Sequence, residues 1–478
     1  MGQSLFRNAQ GRPQFARRKT VRSTQAILVR ALGDADWRVA VEAVRALAGD
    51  ASDEAGRAAV AGRLVGELAA IARDQTRAQV VIEALAVLGS HGKEPQVATA
   101  LAQVIAKTKP LPDGIRGWVE CLAQVAIVTA APASFAPIER CSLPDHLKLP
   151  LLGELVADEI GDIAERRRVV RDLLAHTDVR VRGAGLVALA PLSKIGDAND
   201  RRAAIAAVSS ALASKDPLTV GYATEAAGAL YELKLAEHEA PASTRMTVER
   251  EALDRAVTTR ARNEREPDFA APLFDLIAKY KIASGLAACR AGITGHPIAA
   301  KAARACLVAL GEPAPPEAAV PAGTPPPVEV ESVIGKTITW HLLTTRGEVT
   351  IALAPESAPW AVATIVALTR KGFYDGLLVH RVVPDFVAQG GDPTGSGSGG
   401  PGFMIPAEPA TGDGFVTGGV GIADSGRDSG GSQWFVMHSP ALHLEGRYTW
   451  IGAVVAGQKS LDSVVIGDRV TRAVIEMK

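Results

Sequence analysis

The sequence predicts a multidomain α plus β chain, a long helical repeat region followed by a small β-barrel. Three observations predict it. Residues 1–311 are rich in Ala and Leu, and apolar residues recur at three-and-four spacing, as in Val39, Val41, Val44, Leu47 and again in Val179, Val181, Leu186, Leu189. Residues 312–332, EPAPPEAAVPAGTPPPVEVES, place seven Pro within 15 residues, a run that neither a helix nor a central strand tolerates. Beyond it the composition changes: residues 330–478 hold 11 of the 21 aromatic residues, Trp340, Trp360, Trp434 and Trp450 among them.

The totals set limits. With 478 residues, 47% apolar and 22% charged, the chain is not disordered throughout, and its length allows several domains. Lys plus Arg is 52 and Asp plus Glu is 52, so net charge offers no argument for a nucleic-acid partner, and none is expected. No membrane span is expected either. The longest uncharged run, Cys121–Ile138, is broken by Pro132 and Pro137. Residues 1–22 form a basic arm with Arg7, Arg12, Arg17, Arg18, Lys19 and Arg22 and no acid, most simply a solvated tail. The following TQAILVRAL is too short, and broken by Arg30, to serve as an export signal. As written the chain is expected in the cytoplasm; a start further upstream would allow a periplasmic or envelope-associated protein. Cys121, Cys141, Cys289 and Cys306 contain no C-x-x-C unit and read as buried free thiols. A Cys289–Cys306 bridge between neighbouring helices is the alternative.

Residues 23–311 repeat themselves. DWRVAVEAVRAL starts at Asp36 and DQTRAQVVIEALAVL at Asp74, 38 residues on. DVRVRGAGLVALAPL starts at Asp178 and DPLTVGYATEAAGAL at Asp216, again 38 on, and HPIAAKAARACLVAL at His296 is a looser copy. An Asp at each helix start caps the orphan N–H groups, and the Ala and Gly positions let helices approach closely. This grammar resembles HEAT or armadillo-like repeats. The resemblance implies an α-solenoid of helix pairs, whose extended surface would take a protein partner. His91, His146, His176, His238 and His296 are scattered and read as capping or surface residues.

The Pro-rich stretch 312–332 reads as an extended spacer and sets the boundary of a last domain, 333–478. There TITWHLLTT (337–345) and GEVTIALA (347–354) read as two strands meeting at Arg346-Gly347. APWAVATIVALTRKG (358–372) reads as an amphipathic helix with Pro359 in its first turn. Short apolar runs between Gly clusters then suggest a small barrel.

Three collinear motifs follow: FYDGLLVHRVVPDFVAQGGD (373–392), GIADSGRDSGGSQWFVMHS (421–439) and HLEGRYTWIGAVVAGQKSLDSV (443–464). Together they resemble the cyclophilin-type peptidyl-prolyl cis-trans isomerases. The resemblance implies an eight-stranded antiparallel β-barrel capped by two helices, with the active site on an outer face. It implies Arg381 as the catalytic cation, and Gln389 as the residue that holds Arg381 or the substrate by hydrogen bonds. It implies a proline pocket lined by Phe386, Phe435 and Leu444, with Val387 where Met is usual. Ala423 and Asp424 would offer backbone groups to the peptide, Asp424 standing where Asn is usual. Gln433 would meet the carbonyl side of the bond, and Tyr448 takes a pocket-edge position often held by His. His443 stands where cyclosporin-sensitive members carry Trp, which implies weak binding of that drug. No metal and no cofactor is implied.

The expected function is thus isomerisation of proline-containing peptides or protein clients, with the repeats recruiting them. The alternative is a repeat scaffold whose barrel binds proline peptides without turnover. Two other patterns are set aside. Gly395–Gly400 spells G-x-G-x-x-G, but Pro401-Gly402-Phe403 follows where a dinucleotide site needs a helix, so it reads as a surface loop. His438 and His443 have no third ligand nearby and do not read as a metal site.

Overall fold

A computed structural model describes residues 22–49, 53–132, 134–233, 243–313, 326–409 and 414–478. The basic arm, save Arg22, and most of the Pro-rich stretch lie outside the described residues. The described residues fall into two compact units, one drawn from 132–139 and 144–313, the other from 22–131, 140–143 and 326–478.

In the first unit, helices two apart in sequence stack in rows. Asp145–Ala157, Val179–Ile195, Pro217–Glu232, Pro267–Tyr280 and Pro297–Ala309 form one row; Ala198–Leu212, Ser243–Asn263 and Leu286–Gly292 form another. Such alternation is the layering of a helical repeat array. The caps follow the sequence grammar. Asp178 accepts from Arg180 N, Asp216 from Thr219 N and His296 from Ile298 N. Gly183 lets the Tyr222 ring lie against its helix, where a Cβ would stand 2.2 Å from a ring carbon.

The second unit has its own rows: Trp37–Ala48, Arg77–Leu88 and Asp113–Ala130 in one, Glu54–Ala70 and Pro95–Ala106 in the other. Asp36 caps its helix as expected. Asp74 does not. The helix starts later, at Arg77, and the Asp74 carboxylate takes the Thr76 N–H and hydroxyl in the preceding turn.

The cysteines are not free thiols. Cys121 is bonded to Cys141 and Cys289 to Cys306, with Cα separations of 5.5 and 6.0 Å, a reach that a disulfide spans. Bridges 20 and 17 residues apart in sequence carry no spacing signature, which is why the thiols look inert in the sequence.

The rest of the second unit is an eight-stranded antiparallel sheet: β1 (Ile338–Thr344), β2 (Gly347–Leu353), β3 (Arg381–Val383), β4 (Val387–Gly390), β5 (Gly419–Ile422), β6 (Trp434–Met437), β7 (Thr449–Ala456) and β8 (Val470–Met477). Their order is β3-β4-β6-β5-β7-β2-β1-β8. The sheet curls until its ends meet: Val379 N donates to Asp468 O and Val470 N to Leu377 O, joining the lead-ins to β3 and β8. Helices Pro359–Arg370 and Gln458–Asp462 accompany it, the first with Pro at its start as its sequence predicts. The core is centred on Trp340, Tyr374 and Trp434, whose rings meet edge to face.

The row of helices 37–48, 77–88 and 113–130 packs on this sheet domain. Trp118 Nε1 donates to Ile466 O at 2.6 Å, and Gln79 Nε2 to Val464 O at 2.7 Å. Arg38 Nη2 pairs with Asp462 at 2.6 Å, and the Trp37 ring stands edge-on to His438. The two Trp of the helical region are therefore buried against the aromatic-rich domain and are not part of the repeat grammar.

Candidate functional site

A strand sends successive side chains to opposite faces. In β6, Trp434 and Val436 enter the main core, while Phe435 and Met437 join a separate apolar cluster on the outer face. In β4, Ala388 goes inward and Val387 outward. Val387, Phe415, Phe435, Met437, Ala441 and Leu444 form this second cluster, with Phe386, Ala423 and Tyr448 packed on it. The pocket is therefore the reverse side of the strands that build the core.

The polar residues sit at its edge. β3 and β4 pair with Arg381 directly opposite Gln389, so eight residues of sequence become one cross-strand neighbour. Arg381 Nη1 donates to Gln389 Oε1 at 3.3 Å, and Gln389 Nε2 donates to Gln433 Oε1 at 3.0 Å. Gln433 Nε2 in turn donates to the carbonyls of Gly397 and Gly399, at 3.0 and 2.8 Å. These four donations fix which end of each amide faces which neighbour. The Gly-rich loop is a loop as expected. It is wound around the Asp392 carboxylate, which takes N–H groups of Thr394, Ser396 and Gly397. Burial works against that charge, but the bonds from Thr394 and Gly399 hold Asp392 below the usual carboxylate range.

Arg381 has no carboxylate partner among the described residues, and its other side-chain N–H groups have none there either. Burial pushes its guanidinium below its ordinary value, and the Tyr448 hydroxyl opposes that. Because Arg starts far above neutrality, it stays a cation. Its Cζ lies 6.0 Å from the Phe386 ring centre.

The remaining predicted residues converge on the same place. Phe386 lies in the turn between β3 and β4 and stacks on His443, ring centres 6.0 Å apart. Phe435 meets Tyr448 edge to face at 5.8 Å. Ala423 N donates to Gln433 O at 2.9 Å, which brings the end of β5 beside the start of β6. Asp424 accepts from Gly426 N, and burial raises its carboxyl to about 6 against that bond. His443 and Leu444 belong to the short turn Leu442–Leu444. His438 is not with them. It is buried beneath, with Nδ1 at 2.9 Å from Asp462 Oδ1.

Sequence reasoning missed Phe415 and Gly421. Phe415 is fully buried and stacks under Phe435 at 5.5 Å, and its N–H donates to Glu445 Oε1. A Cβ at Gly421 would stand 2.5 Å from Phe435 and 2.8 Å from Phe415. The only signal for Phe415 is an aromatic after a Gly-rich stretch, outside the three motifs.

The family model described as cyclophilin type peptidyl-prolyl cis-trans isomerase/CLD matches residues 339–476. The peptidyl-prolyl cis-trans isomerase B of Bacillus subtilis is 42% identical over 133 residues, covering 27% of this chain and 91% of that protein. The chain belongs to the cyclophilin-type peptidyl-prolyl cis-trans isomerases. Peptidyl-prolyl cis-trans isomerases of Synechococcus elongatus and Helicobacter pylori are also similar. They are 41% and 40% identical over 131 and 141 residues, spanning 27% and 29% of this chain and 90% and 86% of theirs. The cyclophilin match thus covers the sheet domain and the whole of the site just described. No helix among the described residues is long and apolar enough to cross a membrane.

Proposed function

We propose that this cyclophilin turns X–Pro bonds with Arg381 as the cation, Gln389 and Gln433 as its hydrogen-bonded support, and the Val387–Phe435–Leu444 cluster as the proline pocket. The barrier to be lowered is about 18–20 kcal/mol, set by amide resonance. When the amide twists, resonance is lost and a lone pair localises on the prolyl nitrogen. A fixed cation that donates to that nitrogen favours the twisted state over the planar one, and only such differential binding raises the rate. The pocket holds the ring still while the other side of the bond rotates. Phe386 forms a wall of the same pocket, and Ala423, Asp424, His443 and Tyr448 border the peptide's path.

One observation carries this reading: a half-buried Arg381 with no counter-ion among the described residues, held by Gln389 beside an apolar pocket. A structural arginine in such surroundings is ordinarily paired with a carboxylate. The test is cis-to-trans isomerisation of a short X–Pro peptide by the full chain and by R381A. Turnover should fall roughly 10²–10³-fold, the cost of losing one transition-state donor, while the peptide still binds. Equal, slow rates for both proteins with peptide bound would leave a proline-peptide binding module and sink the catalytic reading.

The stacked repeats, we infer, supply an extended surface for a client or partner protein and raise its effective concentration at the site. We further place the protein in an oxidising compartment rather than the cytoplasm. Both cysteine pairs are bridged, and such bonds are rare where thiols are kept reduced. Protein isolated without reductant, unfolded and alkylated, should show no mass gain; four added groups would reverse this placement.

A further inference from the structure

The helix Trp37–Ala48, outside the cyclophilin match, reaches the turn that carries Phe386. We propose that Arg45 is a positioning residue for the X–Pro reaction, holding the Pro384 carbonyl and through it the Phe386 wall of the proline pocket. This rests on the isomerase reading above.

The turn needs holding. Only residues 384–386 connect β3 to β4, and Asp385 sits at φ +60, a left-handed conformation that costs a residue with a Cβ. Four bonds keep it there. Phe386 N donates to Val383 O at 3.0 Å, His438 N donates to Phe386 O at 2.8 Å, and the Ser439 hydroxyl donates to the Asp385 carboxylate. The fourth is Arg45 Nη2 to Pro384 O at 2.9 Å, and it alone comes from the helical region.

Arg45 is itself fixed. Its Nε donates to Glu83 Oε1 at 2.8 Å and its Nη1 to Glu42 Oε1 at 2.6 Å, so the planar fork has one orientation. Two helical turns earlier on the same helix, Arg38 Nε donates to His438 O at 2.8 Å. One helix thus grips both segments that bracket Phe386. The Phe386 ring in turn lies against His443 and beneath the Arg381 guanidinium. Release of Pro384 would loosen a wall of the pocket while leaving Arg381 on β3 and its Gln389 partner in place.

A wall touches the proline ring in the planar and the twisted state alike. Loss of such a contact weakens binding without raising the barrier from the bound state, so KM moves and kcat does not. A residue that only ties the helix to the sheet would not separate them in this way.

The experiment uses the full chain as parent, R45K, R45M and E83Q. Each is measured for unfolding temperature, for the Kd of a short X–Pro peptide by NMR titration, and for kcat and KM. In R45K an ammonium remains between Glu83 and Glu42 but cannot also reach Pro384, so the fold is kept and the turn released. Kd and KM should rise roughly threefold to tenfold in R45K and R45M, the effect of one lost hydrogen bond, with kcat within about twofold of the parent. E83Q removes the charge of that pair but leaves an amide oxygen to accept from Arg45 Nε, so the guanidinium keeps its orientation and the Pro384 bond. It should lower the unfolding temperature and leave Kd unchanged. A parental Kd in R45K, or a rise in E83Q equal to that in R45K, overturns the proposal. A parent that binds but does not turn over would sink only the isomerase reading, because the Kd comparison reads Arg45 without turnover.

Discussion

Glycine serves different ends in the stacked helices of 145–309 and in the curled sheet of 338–477. Gly183 lies where two repeat helices meet, and the space of the absent Cβ is filled by the Tyr222 ring. Gly421 lies on β5, and the space of its absent Cβ is filled by Phe435 and Phe415, the floor of the proposed proline pocket. In the repeats the gap lets one element pack on the next. In the sheet it lets the pocket have a flat aromatic base. On this reading the same residue type serves stability in one region and the shape of the proposed site in the other.

Paired substitutions break that comparison if it is wrong. G183A should force the Tyr222 ring aside and destabilise the chain by about 1–3 kcal/mol, the usual cost of overpacking a filled site. Peptide turnover at a temperature where the protein is folded should stay at the parental value. G421A should displace Phe435 and weaken peptide binding by about fivefold, the scale of one disturbed apolar contact, with turnover falling in step. Calorimetry and a peptide assay on both proteins decide it. A G183A chain that keeps its unfolding temperature, or a G421A chain that keeps its peptide affinity, would show that the missing Cβ is not what that region depends on.

How much was legible in the sequence follows the same division. Repeat helices announce themselves through period, so the Asp178 and Asp216 caps follow from spacing, and the stacking rows from the resemblance to HEAT or armadillo-like repeats. Asp74 misleads because an Asp two residues before Thr76 can close a turn as well as cap a helix. The site residues are legible only through the resemblance of the three motifs to the cyclophilins, and the structure shows how they meet. Arg381 and Gln389 are separated by one hairpin, and Gln433 stands next to β6, so two of the three motifs meet in one chain of hydrogen bonds. Phe415 was hidden because its role comes from stacking beneath Phe435, and nothing near it in sequence says so. Trp37, Trp118 and Arg45 were hidden for the same reason. Their partners, Asp462, Ile466 and Pro384, are more than 300 residues away, and helical periodicity cannot say which face meets a second fold.

The smallest effect expected sharpens the comparison inside the site itself, between the permanent cation of Arg381 and a carboxyl that changes state. Burial lifts Asp424 to about 6, with the Gly426 N–H pulling the other way. A carboxyl raised in the folded state binds its proton more tightly there than in the unfolded chain. Its contribution to stability is therefore greatest below the usual carboxylate range, declines as pH rises towards about 6, and is constant above it. The charge at the pocket edge runs the opposite way, absent below about 6 and present above. A Lys-containing X–Pro peptide should then gain over its Gln counterpart as pH rises through that value, by roughly twofold, the scale of a solvent-screened ion pair. D424N should bind both peptides with a ratio that does not change with pH. If the ratio still moves in D424N, the titrating group is another residue at the edge. If it does not move in the parent, the Asp424 carboxylate does not face the peptide, and only the backbone of that segment meets it.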